Sequence, residues 1–235
     1  MSFQYVMDEL AGLASDRVKK RYLAEGAKEP FFGVPTGAMK PLAKKYMYDQ
    51  DLAEQLFATG NFDAMYFAGV IADPKRMTPA DFDRWLAQAY FYMVSDFIVS
   101  VSLAETNFAQ EVADRWITSE EELIASAGWN CYEWLLGSRK DVEFTPEKIT
   151  ALLNTAEHTI HAEPDQVKKA MNRFIVAVGV SYQPLHTEAI QSAERIGAVT
   201  VADGKKTKSL SLAAETIAKA AAQGRIGFKR KYVRC

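Results

Sequence analysis

Two hundred and thirty-five residues, 49% hydrophobic and 25% charged, make the length and mixture of a soluble globular protein with a sizeable core. The best uncharged apolar run, 174–180, is far short of the ~18 residues a membrane span needs, and two cysteines, Cys131 and Cys235, cannot form a disulfide framework or a four-cysteine zinc site. The net charge of −2 conceals a split: residues 1–164 carry 15 Lys/Arg against 25 Asp/Glu, whereas 165–235 carry 13 against 5. A basic segment of that size calls for an anionic partner, or for the acidic remainder of the chain itself.

From the start, Val6, Leu10, Leu13 and Tyr22 recur near helical spacing over 3–23, and Gly26 supplies a stop. Asp8 and Glu9 arrive too early for a secretory leader, so a reduced, cytoplasmic setting is expected. Phe32-Gly33-Val34-Pro35-Thr36-Gly37 reads as a turn, followed by a helix that opens at Pro41. Helical patterns then succeed one another over 50–59, 61–72, 78–94, 95–116, 120–137, 145–162, 164–179 and 184–196. Gly60-Asn61, Asp73-Pro74, Thr78-Pro79, Thr145-Pro146 and Glu163-Pro164 punctuate them, and Ser119-Glu120-Glu121-Glu122 reads as a capping box.

Short helices in pairs, with no βαβ alternation, predict an all-α solenoid of degenerate repeats forming a single domain over 1–235. One segment departs from the pattern. A β-hairpin is expected over 198–212, from β-prone Ala198-Val199-Thr200-Val201-Ala202, the turn signal Asp203-Gly204 and renewed alternation over 207–212. A last helix, 213–223, stops at Gly224, and the tail 224–235 is basic and aromatic.

Several patterns carry potential chemistry. His158 and His161 stand three apart beside Glu157 and Glu163, but a solvated pair in a helix's last turn explains them without a metal, and none is expected. Gly204-Lys205-Lys206-Thr207 lacks the first glycine of a phosphate loop and lies in a hairpin. Cys131 has no histidine nearby in sequence and reads as a small buried hydrophobe. Lys205, Lys206 and Lys208 cluster at the hairpin tip, where a two-stranded ribbon could contact nucleic-acid phosphates; lysines protecting a solvated edge strand are the alternative. Lys168, Lys169 and Arg173 on the preceding helix, and Lys229, Arg230, Lys231 and Arg234 in the tail, extend the basic surface. Trp129 is a candidate for lining a cleft, against the simpler reading of a core aromatic.

Two blocks in order resemble the DNA alkylation repair glycosylases built from HEAT-like repeats, Phe32-Gly33-Val34 with Lys40-Pro41-Leu42-Ala43-Lys44-Lys45 and the segment from Val167-Lys168-Lys169 to Val178-Gly179. The ending Gly224-Arg225-Ile226-Gly227-Phe228-Lys229-Arg230-Lys231 is similar to that of one divergent branch of the superfamily, to which the hairpin and tail belong. The resemblance implies a HEAT-like helical-repeat solenoid with a basic face for DNA. Active members of that family excise positively charged 3- or 7-alkylpurines with a cleft of two Trp, an Asp and an Arg. Tyr92 and Asp96 match the first Trp and the Asp, four apart on a helix. The stretch 127–134, where the family has its Arg, contains none, and Asn172 or Arg173 stands near the second Trp. Asp96 also has a helix-capping alternative, with Ser95 as rival.

The resemblance with these departures implies a DNA-binding protein that engages backbone and shape, with weak or no base excision and no cofactor. If excision occurs, Asp96 and Tyr92 are the catalytic candidates. An active glycosylase, and a protein-interaction solenoid gripping a peptide, are the alternatives.

Overall fold

The computed structural model describes residues 2–204 and 206–233, with the side chain of Asp203 outside the description. Among the described residues the protein is all-α apart from one two-stranded antiparallel hairpin, as the sequence pattern predicts. Among the described residues, no helix is long and apolar enough to cross a membrane. The chain divides into two compact units, the first ending at Phe108 and the second running from Ala109 to Val233.

The first unit holds α1 (Ser2–Gly12), α2 (Asp16–Ala24), α3 (Lys40–Tyr46), α4 (Gln50–Phe57), α5 (Phe62–Ile71), α6 (Pro79–Gln88), α7 (Tyr92–Val94) and α8 (Ser100–Leu103). The helix expected over 3–23 is two helices. Ser15 is extended between them, and its N–H donates to the carbonyl of Gly33. The helices expected over 78–94 and 95–116 break instead at 89–91 and 104–108. Phe91 turns extended, which places its ring against Phe62 at 5.0 Å in a cluster with Tyr22 and Phe31. Apolar aromatic burial there outweighs helix continuation.

Caps fix the helix starts as the punctuation suggests. Asn61 Oδ1 accepts from the N–H of Ala64, and Thr78 with Asp81 forms a reciprocal box ahead of Pro79. Gly69 on α5 lets Ile98 approach so closely that a Cβ at that position would collide with the Ile98 side chain.

The second unit holds α9 (Ala109–Ile117), α10 (Glu122–Ser138), α11 (Pro146–Thr159), α12 (Asp165–Ser181), α13 (His186–Ile196) and α14 (Ala213–Ala222), with β1 (Thr200–Asp203) and β2 (Lys206–Ser209) between α13 and α14. The capping box expected at Ser119 does not form. Glu121 takes the N-cap position with no side-chain cap, and Ser119 Oγ accepts from the Glu121 N–H. Helix α12 is central, packing on α10, α11, α13 and α14. Its Phe174 lies against Trp129 at 5.1 Å and Tyr132 at 6.2 Å, all three buried.

Candidate nucleic-acid interface

The hairpin is placed from both ends. In its register Val201 faces Lys208 and Asp203 faces Lys206. Asp203 is therefore the last paired residue of its strand, and the loop falls one position later than the Asp203-Gly204 signal suggests. Gly204 holds φ +62°, a left-handed value that suits glycine. Val201 is buried, and side chains of directly paired residues share a face, so Lys208 and Lys206 lie on that face of the ribbon. Asp165 at the start of α12 accepts the Ala202 N–H at 2.7 Å, and its other oxygen lies 3.9 Å from Lys168 Nζ. Lys168 thus lies beside the carboxylate that holds the hairpin.

The tail is also seated. Its Gly227 N–H donates to the Val180 carbonyl at 2.7 Å and its Arg230 N–H to the Gly137 carbonyl at 2.7 Å. Lys229 Nζ donates to the Leu136 carbonyl at 2.8 Å and meets Asp141 Oδ1 at 2.7 Å. Those bonds turn the Lys229 charge inward. Lys231 lies over the exposed Tyr232 ring at 5.2 Å.

Between α10, α12, the end of the hairpin, α14 and the tail opens a cavity of about 620 Å³. Lys169, Arg173, Lys208, Arg225 and Arg230 line it against one carboxylate, Glu133. Arg173 Nε donates to Asn130 Oδ1 at 2.9 Å and lies 3.3 Å from Glu133 Oε2. Arg230 lies 3.8 Å from Glu133 Oε1 and stacks over Trp134 at 4.3 Å. Asn172, also in the wall, donates from Nδ2 to the Ser211 carbonyl at 3.2 Å. Five sequence candidates therefore converge: Lys169, Asn172, Arg173, Lys208 and Arg230. Lys168, Lys206, Lys229 and Lys231 are not among the lining residues, and Lys205 and Arg234 lie outside the described residues.

Trp129 does not line a cleft. It is 1% exposed and belongs to the core beneath α12, because its ring packs edge-on against Phe174. Arg225 and Glu133 are the cavity residues that charge-run reasoning missed. Arg225 sits in the quoted Gly224-Arg225-Ile226 block, and Glu133 is a lone carboxylate inside an aromatic stretch.

The other candidate pair lies in the first unit. Tyr92 and Asp96 fall where α7 passes into a π turn, Ser95–Val99, before α8. Neither Asp96 nor Ser95 is an N-cap; Phe91 holds that position for α7, and Ser95 is its C-cap residue. The Tyr92 hydroxyl, half-buried, donates to Glu25 Oε2 at 3.0 Å. Burial, and then the Glu25 charge and hydrogen bond, push the phenol far above its ordinary value. Asp96 is 0% exposed, and the Ser95 hydroxyl donates to its Oδ1 at 2.9 Å. Among the described residues, no group of three or more His, Cys, Asp or Glu is arranged to hold a metal ion. His158 Nδ1 and His161 Nε2 pair with the backbone carbonyls of Asn154 and Ile196.

A solved structure, from a new family described as related to the HEAT-like repeat DNA glycosylases with affinity for branched DNA structures, is 56% identical. It covers 100% of both chains at a TM-score of 0.94, which confirms the all-α, HEAT-like fold expected from the sequence. The uncharacterized protein Lin0241 of Listeria innocua is 26% identical over 225 residues, covering 94% of this chain and 97% of its own. The uncharacterized protein Lmo0209 of Listeria monocytogenes is 25% identical over 206 residues, covering 86% and 89%. The model of the DNA alkylation repair enzyme family matches residues 6–217, and the chain belongs to that family.

Proposed function

We propose that this protein binds DNA, branched forms above plain duplex, through phosphate contacts and shape, with weak or no base excision. The observation that carries the reading is the full-length likeness, at 56% identity, to a protein with affinity for branched DNA structures. The basic cavity of the second unit supports it, since Lys and Arg side chains around a recess suit phosphates and carry no sequence code. Lys205, Lys206 and Lys208 at the hairpin, with Lys168, Lys169, Arg173, Lys229, Arg230, Lys231 and Arg234, are the proposed contact set, in which Lys229 acts chiefly by holding the tail. The compartment is the cytoplasm, in keeping with the buried free thiol of Cys131.

Weak or absent excision is argued from the candidate cleft. A glycosylase carboxylate must approach the oxocarbenium-like sugar, and Asp96 is 0% exposed with Ser95 bonded to it. Tyr92 spends its hydroxyl on Glu25. Gel-shift titration of plain, alkylated and junction DNA at two salt concentrations, with free base monitored in parallel, tests the reading. Tightest binding to junctions without base release is expected. Equal, salt-insensitive affinity for all DNA forms, or none, would overturn it.

A further inference from the structure

The cationic cavity is larger and more apolar than a phosphate site requires. About 620 Å³ lies within the ~300–1,000 Å³ of typical small-ligand pockets, whereas one phosphate occupies a small fraction of that. Val176, Val180 and Leu210 contribute apolar wall, and Ala177 and Ala220 keep it open by being small. Charge gathers around them. Glu133 is shared between Arg173 and Arg230, whereas Lys169 and Arg225 have no ion-pair partner among the described residues. A recess with an apolar wall and uncompensated cations fits a ligand with one flat apolar part and one anionic part.

We propose that this cavity takes one unpaired nucleotide of a DNA branch. Its base and sugar lie against Val176, Val180 and Leu210, and its phosphate lies among Lys169, Lys208 and Arg225. The proposal deepens the DNA-binding reading and rests on it. Paired bases in a duplex are held in the stack, whereas an unpaired nucleotide at a branch point can enter without unpairing. Discrimination among bases is not built in: Asn172 spends its amide N–H on Ser211, and apolar contact accepts any base face. Capture of an unpaired nucleotide gives a preference for branched DNA without reading sequence.

The test places 2-aminopurine at an unpaired nucleotide of a three-way junction and, separately, at a paired position in a duplex of equal length. Saturating protein should change the emission of the junction reporter and leave the duplex reporter unaltered. Val176→Trp fills the cavity from α12 and Ala220→Trp fills it from α14. Each should abolish the emission change and reduce the junction-over-duplex preference by about tenfold, the order of losing the burial of one apolar group. Circular dichroism and thermal unfolding report whether each variant folds. Lys169→Glu, at a half-buried side chain with no ion-pair partner among the described residues, adds an arm that leaves the packing intact and should weaken junction binding likewise. Junction binding with a silent reporter, or a preference untouched in the folded variants, overturns the cavity and leaves the DNA-binding reading standing. Absence of binding to every DNA overturns that reading instead.

Discussion

The N–H of Gly33 donates to Asp63 Oδ2 at 2.8 Å, the middle one of three backbone bonds that close on a single buried carboxylate. Phe32 supplies the second at 2.6 Å to the same oxygen, and Val34 the third at 2.9 Å to Oδ1. Gly33 sits at φ +86°, and a Cβ there would lie 2.6 Å from Lys19 Cβ, so position and residue type are locked together. Asp63→Ala would strand three N–H donors, each costing ~1–3 kcal/mol when buried and unpaired. A loss of about 3–5 kcal/mol is expected, the range for breaking a buried charged network. Urea unfolding of Asp63→Ala, Asp63→Asn and wild type checks it, with Asn recovering part through its amide oxygen. A midpoint unmoved in Asp63→Ala would show the nest to be dispensable.

Alkaline pH should destabilise the fold through its tyrosines. Burial first, then the charges of Asp63 and Glu29, push the Tyr90 phenol from 10.0 up to about 12. Tyr92 and Tyr132 are shifted the same way, burial leading in both and carboxylate neighbours adding to it. Above the unfolded value the unfolded chain has lost these protons while the folded one keeps them, so stability falls as pH rises from about 10 toward 12. Thermal melts across that window, read beside phenolate absorbance, should show Tyr90, Tyr92 and Tyr132 ionising together with unfolding. Full ionisation of all ten tyrosines near 10.0 with the helices intact would contradict it.

The helical fold is legible where a break carries a cap or a proline: Asn61, Thr78-Pro79 and Pro146 open helices where the sequence predicts them, whereas the breaks at 89–91 and 104–108 carry neither. What local pattern cannot show is a contact made far along the chain. Phe32-Gly33-Val34 reads as a turn, but the partner that shapes it, Asp63, is about 30 residues away. The four-residue spacing of Tyr92 and Asp96 is likewise visible, while the burial that withdraws Asp96 depends on tertiary packing. Ser119 fails as a cap because Glu121 takes the position in its place. The basic cavity was half legible. Charge runs mark Lys169, Arg173, Lys208 and Arg230, whereas Glu133 joins them only through the packing of α10 on α12.

The hairpin divides into a tip and a built-in base. Val199 and Val201 are 2% and 1% exposed, and the Leu210 N–H donates to the Val199 carbonyl at 2.8 Å. Shortening the ribbon across the loop, by replacing 203–206 with a Gly-Gly turn, should leave stability within about 0.5 kcal/mol, the usual range for surface changes. Val201→Ala removes a buried branched side chain and should cost about 1–3 kcal/mol. Chemical denaturation of both variants separates the two effects. Equal losses would mean that the tip also packs.

Salt dependence should distinguish cations that reach phosphates from those already engaged. Each phosphate contact removed lowers the slope of log affinity against log salt by ~0.9. The triple variant Lys169→Ala, Lys206→Ala, Lys208→Ala should weaken DNA binding and flatten the slope by about two to three such contacts. Lys229→Ala behaves differently, because its ammonium is held by Asp141 at 2.7 Å and Leu136 at 2.8 Å. It should loosen the tail and lower stability with little change of slope. Fluorescence anisotropy at four salt concentrations decides, and an unchanged slope in the triple variant would remove these lysines from the interface.

Base excision is the sharpest test, because a carboxylate's usefulness depends on where it can be reached. An Asp stabilises an oxocarbenium-like sugar only in contact with it, and catalytic groups that act as a unit lose most of their effect when the geometry fails. Asp96 is 0% exposed with Ser95 bonded to it, and the Tyr92 hydroxyl is tied to Glu25. Neither feature is decisive alone, but together they withdraw the candidate pair from a lesion. Wild-type protein in excess over DNA carrying 3- or 7-alkylpurines should release no more free base than the uncatalysed rate. Asp96→Asn should leave that background as it is and cost about 1 kcal/mol of stability through the altered bond to Ser95. Release by the wild type that vanishes in a folded Asp96→Asn would establish a working glycosylase, and would require the π turn at Ser95–Val99 to open and present the carboxylate.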